Sequence, residues 1–204
     1  MTVPVRHESG PAHRRLIANA LNAISVLFNG LPTSAAGDSM VSDGDGTVTW
    51  GRPSGSVVQQ VNTQTGATAS GTTTIPFDDT VPQITEGTEF MTCSITPKNV
   101  ANKLRIDVLA HVGTSIANAY KIVALFQDTT ASALSVTTGH YNQAATGVNC
   151  INFTYWMDAG TISSTTFRVR GGPNAAATMY FNGDVTAKFG GALISSITIT
   201  EYAA

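Results

Sequence analysis

The sequence predicts an all-β protein, a β-sandwich or jelly roll, with an α-helix before it. From residue 56 onward, short runs that alternate apolar and polar residues recur at regular spacing, with Gly, Pro, Asn and Asp between them. No long helical pattern interrupts these runs, which argues against a parallel α/β sheet. We expect strands near residues 56–62, 72–76, 88–96, 103–112, 119–127, 132–139, 148–157, 164–170, 177–182 and 193–202.

Composition narrows the class of protein. Of the 204 residues, 42% are hydrophobic but only 12% are charged, about half the usual charged share of a soluble domain. Thr, Ser, Asn and Gln must therefore solvate the surface, which is typical of extracellular and virion β-structures. The net charge of −2 argues against nucleic acid as a partner. Since no apolar run reaches ~20 residues and no signal peptide is evident, we expect cytosolic folding without membrane insertion.

The first part of the chain, residues 1–31, is expected to form a helical anchor or trimerisation segment. Ser9-Gly10-Pro11 is typical of a helix start, and Gly30 followed by Pro32 is typical of a helix end. Two adjacent apolar stripes make a face too wide for a two-helix seam, which favours a trimeric or larger bundle. The alternative is that the helix packs against its own β-domain. The stripe residues are Leu16, Ile17, Ala20, Leu21, Ile24, Leu27 and Phe28.

Residues 32–55 have the composition of a linker with one short strand, and residues 56–204 form the predicted head domain. The run Tyr120–Phe126 is more continuously apolar than the alternating strand before it, so we expect it to be buried on both sides, with a subunit interface as a candidate for one of them. Glycines at 190 and 191 favour a sharp bend into the closing strand. Alternate residues are expected to face the core in two strands: Leu104, Ile106, Val108 and Ala110, and Leu193, Ser195, Ile197 and Ile199.

Cysteine and aromatic residues inside predicted strands have ordinary structural explanations. Cys93 and Cys150 are expected to be buried, reduced thiols, with a disulfide as the alternative. Tyr155 and Trp156 are expected in the core or at an interface rather than as a platform for a sugar.

A series of turn and strand motifs recurs in order between residues 56 and 202. The motifs are Val58-Gln-Gln-Val-Asn-Thr-Gln-Thr-Gly66, Gly71-Thr-Thr-Thr-Ile-Pro-Phe-Asp-Asp-Thr-Val-Pro82, Ile95-Thr-Pro97, Ala124-Leu-Phe-Gln-Asp128 and Gly190-Gly-Ala-Leu-Ile-Ser-Ser-Ile-Thr-Ile-Thr-Glu201. Together they resemble a widespread jelly-roll domain of bacteriophage fibres and spikes. The resemblance implies a trimeric jelly roll, similar to the tumour-necrosis-factor and C1q class, on a tail fibre, a head fibre or a capsid decoration. It brings no catalytic residues, and the first 55 residues lie outside it.

With this resemblance, we expect a non-enzymatic phage virion structural protein, assembled in the cytoplasm of the bacterial host. It would be a short trimeric fibre or spike, anchored to the particle by its N-terminus, whose head attaches to the host surface. The alternative is a decoration or cement protein of the capsid or tail with a purely structural role. The expected partners are two further copies of the chain, capsid, portal or tail proteins, and a host-surface glycan or protein.

Two groups of residues are candidates for contact with partners. Arg6, Arg14 and Arg15 oppose the dipole at the predicted helix start, so we expect them to dock on an acidic virion surface, unless they are simply solvated. His140, Tyr141, Asn142 and Gln143 form a candidate receptor loop, because an aromatic face with amide groups suits a glycan or a protein. A solvated turn is the alternative for that loop.

The sequence offers little catalytic chemistry. The histidines lack metal-ligand spacing, and no nucleophile elbow, phosphate-binding loop or dinucleotide fingerprint is present, so we expect no metal and no cofactor. Asp78, Asp79, Glu86 and Glu89 are the densest carboxylate group. Paired carboxylates can cleave glycosides, which leaves a polysaccharide depolymerase as a weaker alternative. A turn with aspartates bonded to local backbone is the simpler interpretation.

Overall fold

The computed structural model describes residues 38–42, 48–139 and 145–204. The predicted helix, the basic residues Arg6, Arg14 and Arg15, and the candidate receptor loop His140–Gln143 lie outside the described residues. The chain divides into two compact units, the first ending at Pro53 and the second, the head, running from Ser54 to Ala204. In the first unit, β1 (Ser39–Ser42) and β2 (Val48–Gly51) pair as antiparallel strands.

The described residues of the head form ten antiparallel strands, and nine of the ten predicted strands overlap an observed one. The chain is therefore all-β in its described part, as predicted. The strands are β3 (Val57–Thr65), β4 (Ala69–Gly71), β5 (Thr88–Ile95), β6 (Lys103–Thr114), β7 (Lys121–Gln127), β8 (Ser135–Thr138), β9 (Asn149–Asp158), β10 (Thr165–Pro173), β11 (Met179–Phe181) and β12 (Ser195–Tyr202).

The strands form two sheets whose order interleaves the beginning and the end of the chain. One sheet has the order β5-β10-β7-β8. In the other, β3 pairs with β12, β12 with β6 and β6 with β9, while β11 and β4 extend it beside the last residues of β6. The first long strand thus lies beside the last one in the head. This is the connectivity of an eight-stranded jelly roll, so the predicted jelly-roll β-sandwich is confirmed.

The core lies between the sheets and follows the predicted alternation. Every second residue of β6, from Leu104 to Ala110, is buried, and so are Ser195, Ile197 and Ile199 of β12. The apolar residues of both sets pack in one cluster with Phe167, Val169 and other apolar residues of the opposite sheet. The predicted and observed buried residues agree because side chains alternate between the two faces of a strand. Once one residue of a strand faces the core, every second residue does so too.

One predicted strand is wrong, and the error explains how β7 is covered. Residues 72–76 are not a strand; residues 72–84 form an irregular segment, here called the strap. Ile75 of the strap is buried against alternate residues of β7, from Ile122 to Phe126. The run 120–126 is therefore buried on both sides as expected, but the second cover comes from the chain itself and not from a subunit interface. Pro76 and Pro82 lack the N–H groups that a sheet position needs.

The chain enters the head at one end, and a group of loops lies at the other end. At the proximal end, the Gly55 N–H donates to the Ala203 carbonyl, and the Ala203 N–H donates to the Ser56 carbonyl, both at 2.9 Å. The chain thus enters the head beside the end of its last strand. At the opposite, distal end lie the loops at residues 66–68, 115–120, 174–178 and 182–194, together with Gly139. The predicted bend is present there, with φ of 64° at Gly190 and 89° at Gly191.

Candidate functional site

Three of the four carboxylates considered for glycoside cleavage are held by hydrogen bonds or by an ion pair. Asp78 accepts hydrogen bonds from the backbone N–H of Thr80 at 2.9 Å and from its hydroxyl at 2.6 Å. These bonds, the hydroxyl first, lower the pKa of Asp78 from its usual value. Glu86 accepts from a backbone N–H three residues earlier at 2.9 Å, and Glu89 pairs with Arg168 at 3.0 Å. Asp78 matches the simpler interpretation of a turn with an aspartate bonded to local backbone, whereas Glu89 is held by an ion pair between neighbouring strands.

Metal and thiol chemistry are equally sparse in the described part of the chain. No group of three or more His, Cys, Asp or Glu residues within it could hold a metal ion. Cys93 is buried as predicted, but the prediction for Cys150 is wrong, because Cys150 alternates with the buried Ile151 and points outward. Both thiols are free. The same ranges contain no helix with the length and hydropathy needed to cross a bilayer.

The distal end presents a well-defined turn with exposed apolar residues. Lys188 pairs with Asp184 at 2.8 Å, and this bond is the main reason that the pKa of Asp184 lies below its usual value. The next residue, Phe189, leaves 83% of its surface exposed and has a φ of 50°, an unusual backbone angle for an aromatic residue. Val185 is also exposed. The turn therefore holds two large apolar side chains in solvent at the end of the head away from Gly55.

Side chains that point away from the core on β3, β12, β6 and β9 form an ordered surface, here called the outer face. The strand register aligns these side chains in rows that cross all four strands. Polar residues occupy most of both central rows. The rows are Gln60, Thr200, Arg105 and Trp156, and then Asn62, Thr198, Asp107 and Thr154.

The polar groups of the outer face are bonded largely to one another. The side-chain amide of Gln60 donates to the hydroxyl of Thr200 at 2.9 Å, and Asn62 donates to Thr198 at 2.7 Å. Asp107 accepts from the Thr154 hydroxyl at 2.6 Å and from Arg105 Nε at 3.1 Å. Lys103 pairs with Asp158 at the margin. The face therefore combines polar composition with few unsatisfied donors or acceptors.

An aromatic cluster lies at the proximal side of the outer face. Trp156 is 53% exposed, its ring lies 5.2 Å from that of Tyr202, and the Arg105 guanidinium lies 5.9 Å from its centroid. Hydrogen bonds to Tyr202 and then to Asp107 raise the pKa of Arg105. Tyr155 packs against the core as expected, but Trp156 does not. The alternating pattern of β9 indicates that Trp156 faces solvent, because Trp156 lies on the same face of the strand as Asn152 and Thr154.

The strap and β8 form the walls of an open trough on the sheet β5-β10-β7-β8. One part of the trough has a volume of about 240 Å³ and is lined by Phe77, Asp78, Ile122 and Val136, among others. A second part, of about 350 Å³, shares Asp78 and Val136 with it and continues to Ala133. No local sequence pattern marks this site, because its walls come from segments more than 50 residues apart and part of the strap was expected to be a strand.

Comparison with known proteins yields structural likeness alone. No family model and no curated protein matches this sequence. Solved structures that resemble the fold include the infectious bursal disease virus VP2 subviral particle, at 12% identity, with 84% of this chain and 45% of that chain covered and a TM-score of 0.34. The structure of the Gx strain of that virus has 13% identity, with 84% of this chain and 44% of that chain covered and a TM-score of 0.35. The T=1 particles derived from the virus have 14% identity, with 85% and 44% of the two chains covered and a TM-score of 0.33. The chain spans less than half the length of these chains, and we draw no functional conclusion from likeness at this level.

Proposed function

We propose that this chain is a bacteriophage virion structural protein, a short trimeric fibre or spike whose jelly-roll head attaches to the host surface. The observation that carries the proposal is the pairing of Gly55 with Ala203 at 2.9 Å. Because the chain enters the head at that end, a head anchored through its N-terminal segment presents the opposite end outward. Arg6, Arg14 and Arg15 precede the head in the chain and are the proposed docking residues on a capsid, portal or tail protein.

The outer face is the surface proposed to bury against two further copies of the chain. Removing a polar surface from water costs little only where its groups are already bonded, and the pairs Gln60–Thr200 and Asp107–Thr154 meet this condition. Trp, Tyr and Arg are the residue types that contribute most to protein interfaces, and Trp156, with Tyr202 beside it, supplies an exposed aromatic anchor.

The distal end is the surface proposed to meet the host. Phe189 and Val185 are exposed there, and Gly139, the residue before the candidate receptor loop His140–Gln143, is at the same end. Loops on a rigid sandwich commonly carry recognition because their sequences change at little cost to the fold. The proposed role is binding without catalysis, in keeping with the hydrogen bond of Asp78 to Thr80 and the ion pair of Glu89 with Arg168.

Immunogold electron microscopy tests the proposed role. Antibodies raised against residues 56–204 should label purified, intact particles of the virus that encodes this chain. Absence of the chain from such particles would overturn the proposal of a virion role. Adhesion of the labelled protein to host cells then separates two roles: we expect adhesion that falls when Tyr141→Ala and Asn142→Ala are combined. Labelled particles without any cell adhesion would identify a decoration protein instead.

A further inference from the structure

The trough between the strap and β8 has a floor of apolar residues and a rim of oxygen atoms. Ile122, Pro82 and Val136 supply apolar surface, and Asp78 and Thr138 supply carboxylate and hydroxyl oxygens. Its two parts share several residues and together follow the chain from Ala133, just before β8, to Thr138 at the end of β8. The site is thus an open, elongated channel rather than an enclosed pocket, and this shape suits a chain-like ligand.

One aromatic ring is offered to a ligand in this trough. Phe77 stacks on Tyr120 with ring centroids 4.2 Å apart and an angle of 16° between the planes. Its side chain is nevertheless 58% exposed. A ring supported on one face and open on the other is suited to packing against the apolar C–H face of a sugar ring.

The charge of the trough limits the charge that a ligand can carry. Of the described residues that line its two parts, none is Lys, Arg or His, whereas Asp78 and Asp79 are both present. The hydrogen bonds from Thr80 favour the ionised form of Asp78. An anionic ligand would meet uncompensated negative charge, whereas the hydroxyl groups of a neutral sugar can donate to these carboxylates.

The trough is formed before any ligand arrives, because the strap is fixed at both ends. The Ile75 N–H donates to the Pro173 carbonyl at 3.1 Å. Near the other end, the Ala133 N–H donates to the Pro82 carbonyl at 2.9 Å, and the Ile84 N–H donates to Ala131 at 2.7 Å. Binding to a preformed site avoids the entropic cost of ordering a loop.

We propose that this trough binds a neutral, extended glycan, with one sugar ring packed on Phe77 and hydroxyl groups bonded to Asp78 and Thr138. The inference rests on the attachment role proposed above and specifies its ligand class and site. It also assigns recognition to the flank of the head, beginning two residues before His140, and not to the loop alone.

Glycan arrays test the inference with printed neutral and acidic oligosaccharides scored separately. The intact protein should bind one or more neutral oligosaccharides and no acidic class preferentially. Phe77→Ala should weaken that binding by about tenfold or more. Ile162→Ala is the control, because it removes another exposed apolar side chain that lies outside both the trough and the distal end, and its binding should equal that of the wild type. Val136→Trp should block the trough while keeping a strong strand former at an exposed position.

Three results would overturn the inference: no binding to any neutral oligosaccharide, preference for acidic ones, or unchanged binding by Phe77→Ala and Val136→Trp. Circular dichroism of each variant shows whether a loss of binding comes from a loss of fold. Phe77→Ala removes a side chain and Val136→Trp enlarges one, so the two variants would disturb packing in different ways. The outcome is separable from that of the proposed function. Particles that carry the chain without glycan binding would refute the trough alone, whereas glycan binding by a chain absent from particles would refute the virion role alone.

Discussion

Asn182 and Ser195 join two turns at the distal end of the head through a buried hydrogen bond. The Ser195 hydroxyl donates to Asn182 Oδ1 at 2.6 Å and accepts from the His111 N–H at 2.9 Å. The Asn182 side-chain amide donates to the carbonyls of Thr65 and Ala67 at 2.8 and 3.0 Å. Both Asn182 and Ser195 are fully buried. One side chain thus fastens β12 and the end of β3 together beneath the exposed turn.

Replacing Asn182 should destabilise the head strongly. Asn182→Ala leaves the Ser195 hydroxyl and two carbonyls without their partner, so we expect a loss of about 2–4 kcal/mol in the free energy of unfolding, measured by urea denaturation. Asn118→Ala is the control, because Asn118 has nearly the same φ, 59° against 57°, but is exposed. Equal losses in the two variants would assign the effect to backbone strain and not to the hydrogen-bond network.

Glu201 should be needed as a carboxylate. Its Oε1 accepts from the Lys98 N–H at 2.8 Å and from the Asn102 side-chain amide at 2.5 Å, and its Oε2 accepts from Gln59 at 2.6 Å. Because Glu201→Gln turns an N–H donor toward other donors inside the fold, we expect a loss of about 2–4 kcal/mol at pH 7. Glu89→Gln, at an exposed residue, should cost less than about 1 kcal/mol. A neutral effect of Glu201→Gln in thermal and urea unfolding would contradict this account.

Lys121 should oppose folding at neutral pH. Its side chain is only 1% exposed, and burial lowers its pKa from the usual value. The folded state then binds fewer protons than the unfolded state, so the cost is full below the folded-state pKa and disappears as pH rises toward about 10.4. Lys121→Met should raise the melting temperature at pH 7 by roughly 2–4 °C, and this gain should shrink toward pH 10. Lys98→Met, at an exposed site, should show neither effect; a gain from Lys121→Met that is independent of pH would refute the burial argument.

Trp156 should matter for assembly more than for folding. Trp156→Ser removes an exposed ring from the outer face, so we expect dissociation of the trimer at micromolar concentration with the circular dichroism spectrum unchanged. Ile162→Ser removes another exposed apolar side chain, which lies outside the four strands of that face, and should leave the mass unchanged. If Trp156→Ser keeps the wild-type mass, the outer face is not the interface between copies.

The strands could be predicted because their signals are local. Alternation such as Leu104, Ile106 and Val108, together with turn residues between runs, is visible without any knowledge of distant contacts. The strap could not be predicted, since residues 72–75 have strand propensity and the path of the strap depends on packing against β7. The burial of Lys121 follows from the predicted burial of the run Tyr120–Phe126, although a lysine in a strand is ordinarily expected to face solvent.

The candidate surfaces were only partly predictable. The exposure of Trp156 and Cys150 follows from the parity of Ile151, and a stricter use of alternation identifies both residues. The trough beside Phe77 depends on strap and strand segments far apart in the sequence, so only the tertiary structure brings its walls together. The predicted receptor loop and N-terminal stripe lie outside the described residues and stay predictions.

The native mass of the purified chain, measured by size-exclusion chromatography with light scattering over a range of micromolar concentrations, tests the trimeric head most directly. For a trimer we expect three times the 21.2 kDa mass of one chain. A mass of 21.2 kDa throughout that range would contradict it, because the outer face would then be exposed to solvent in every copy.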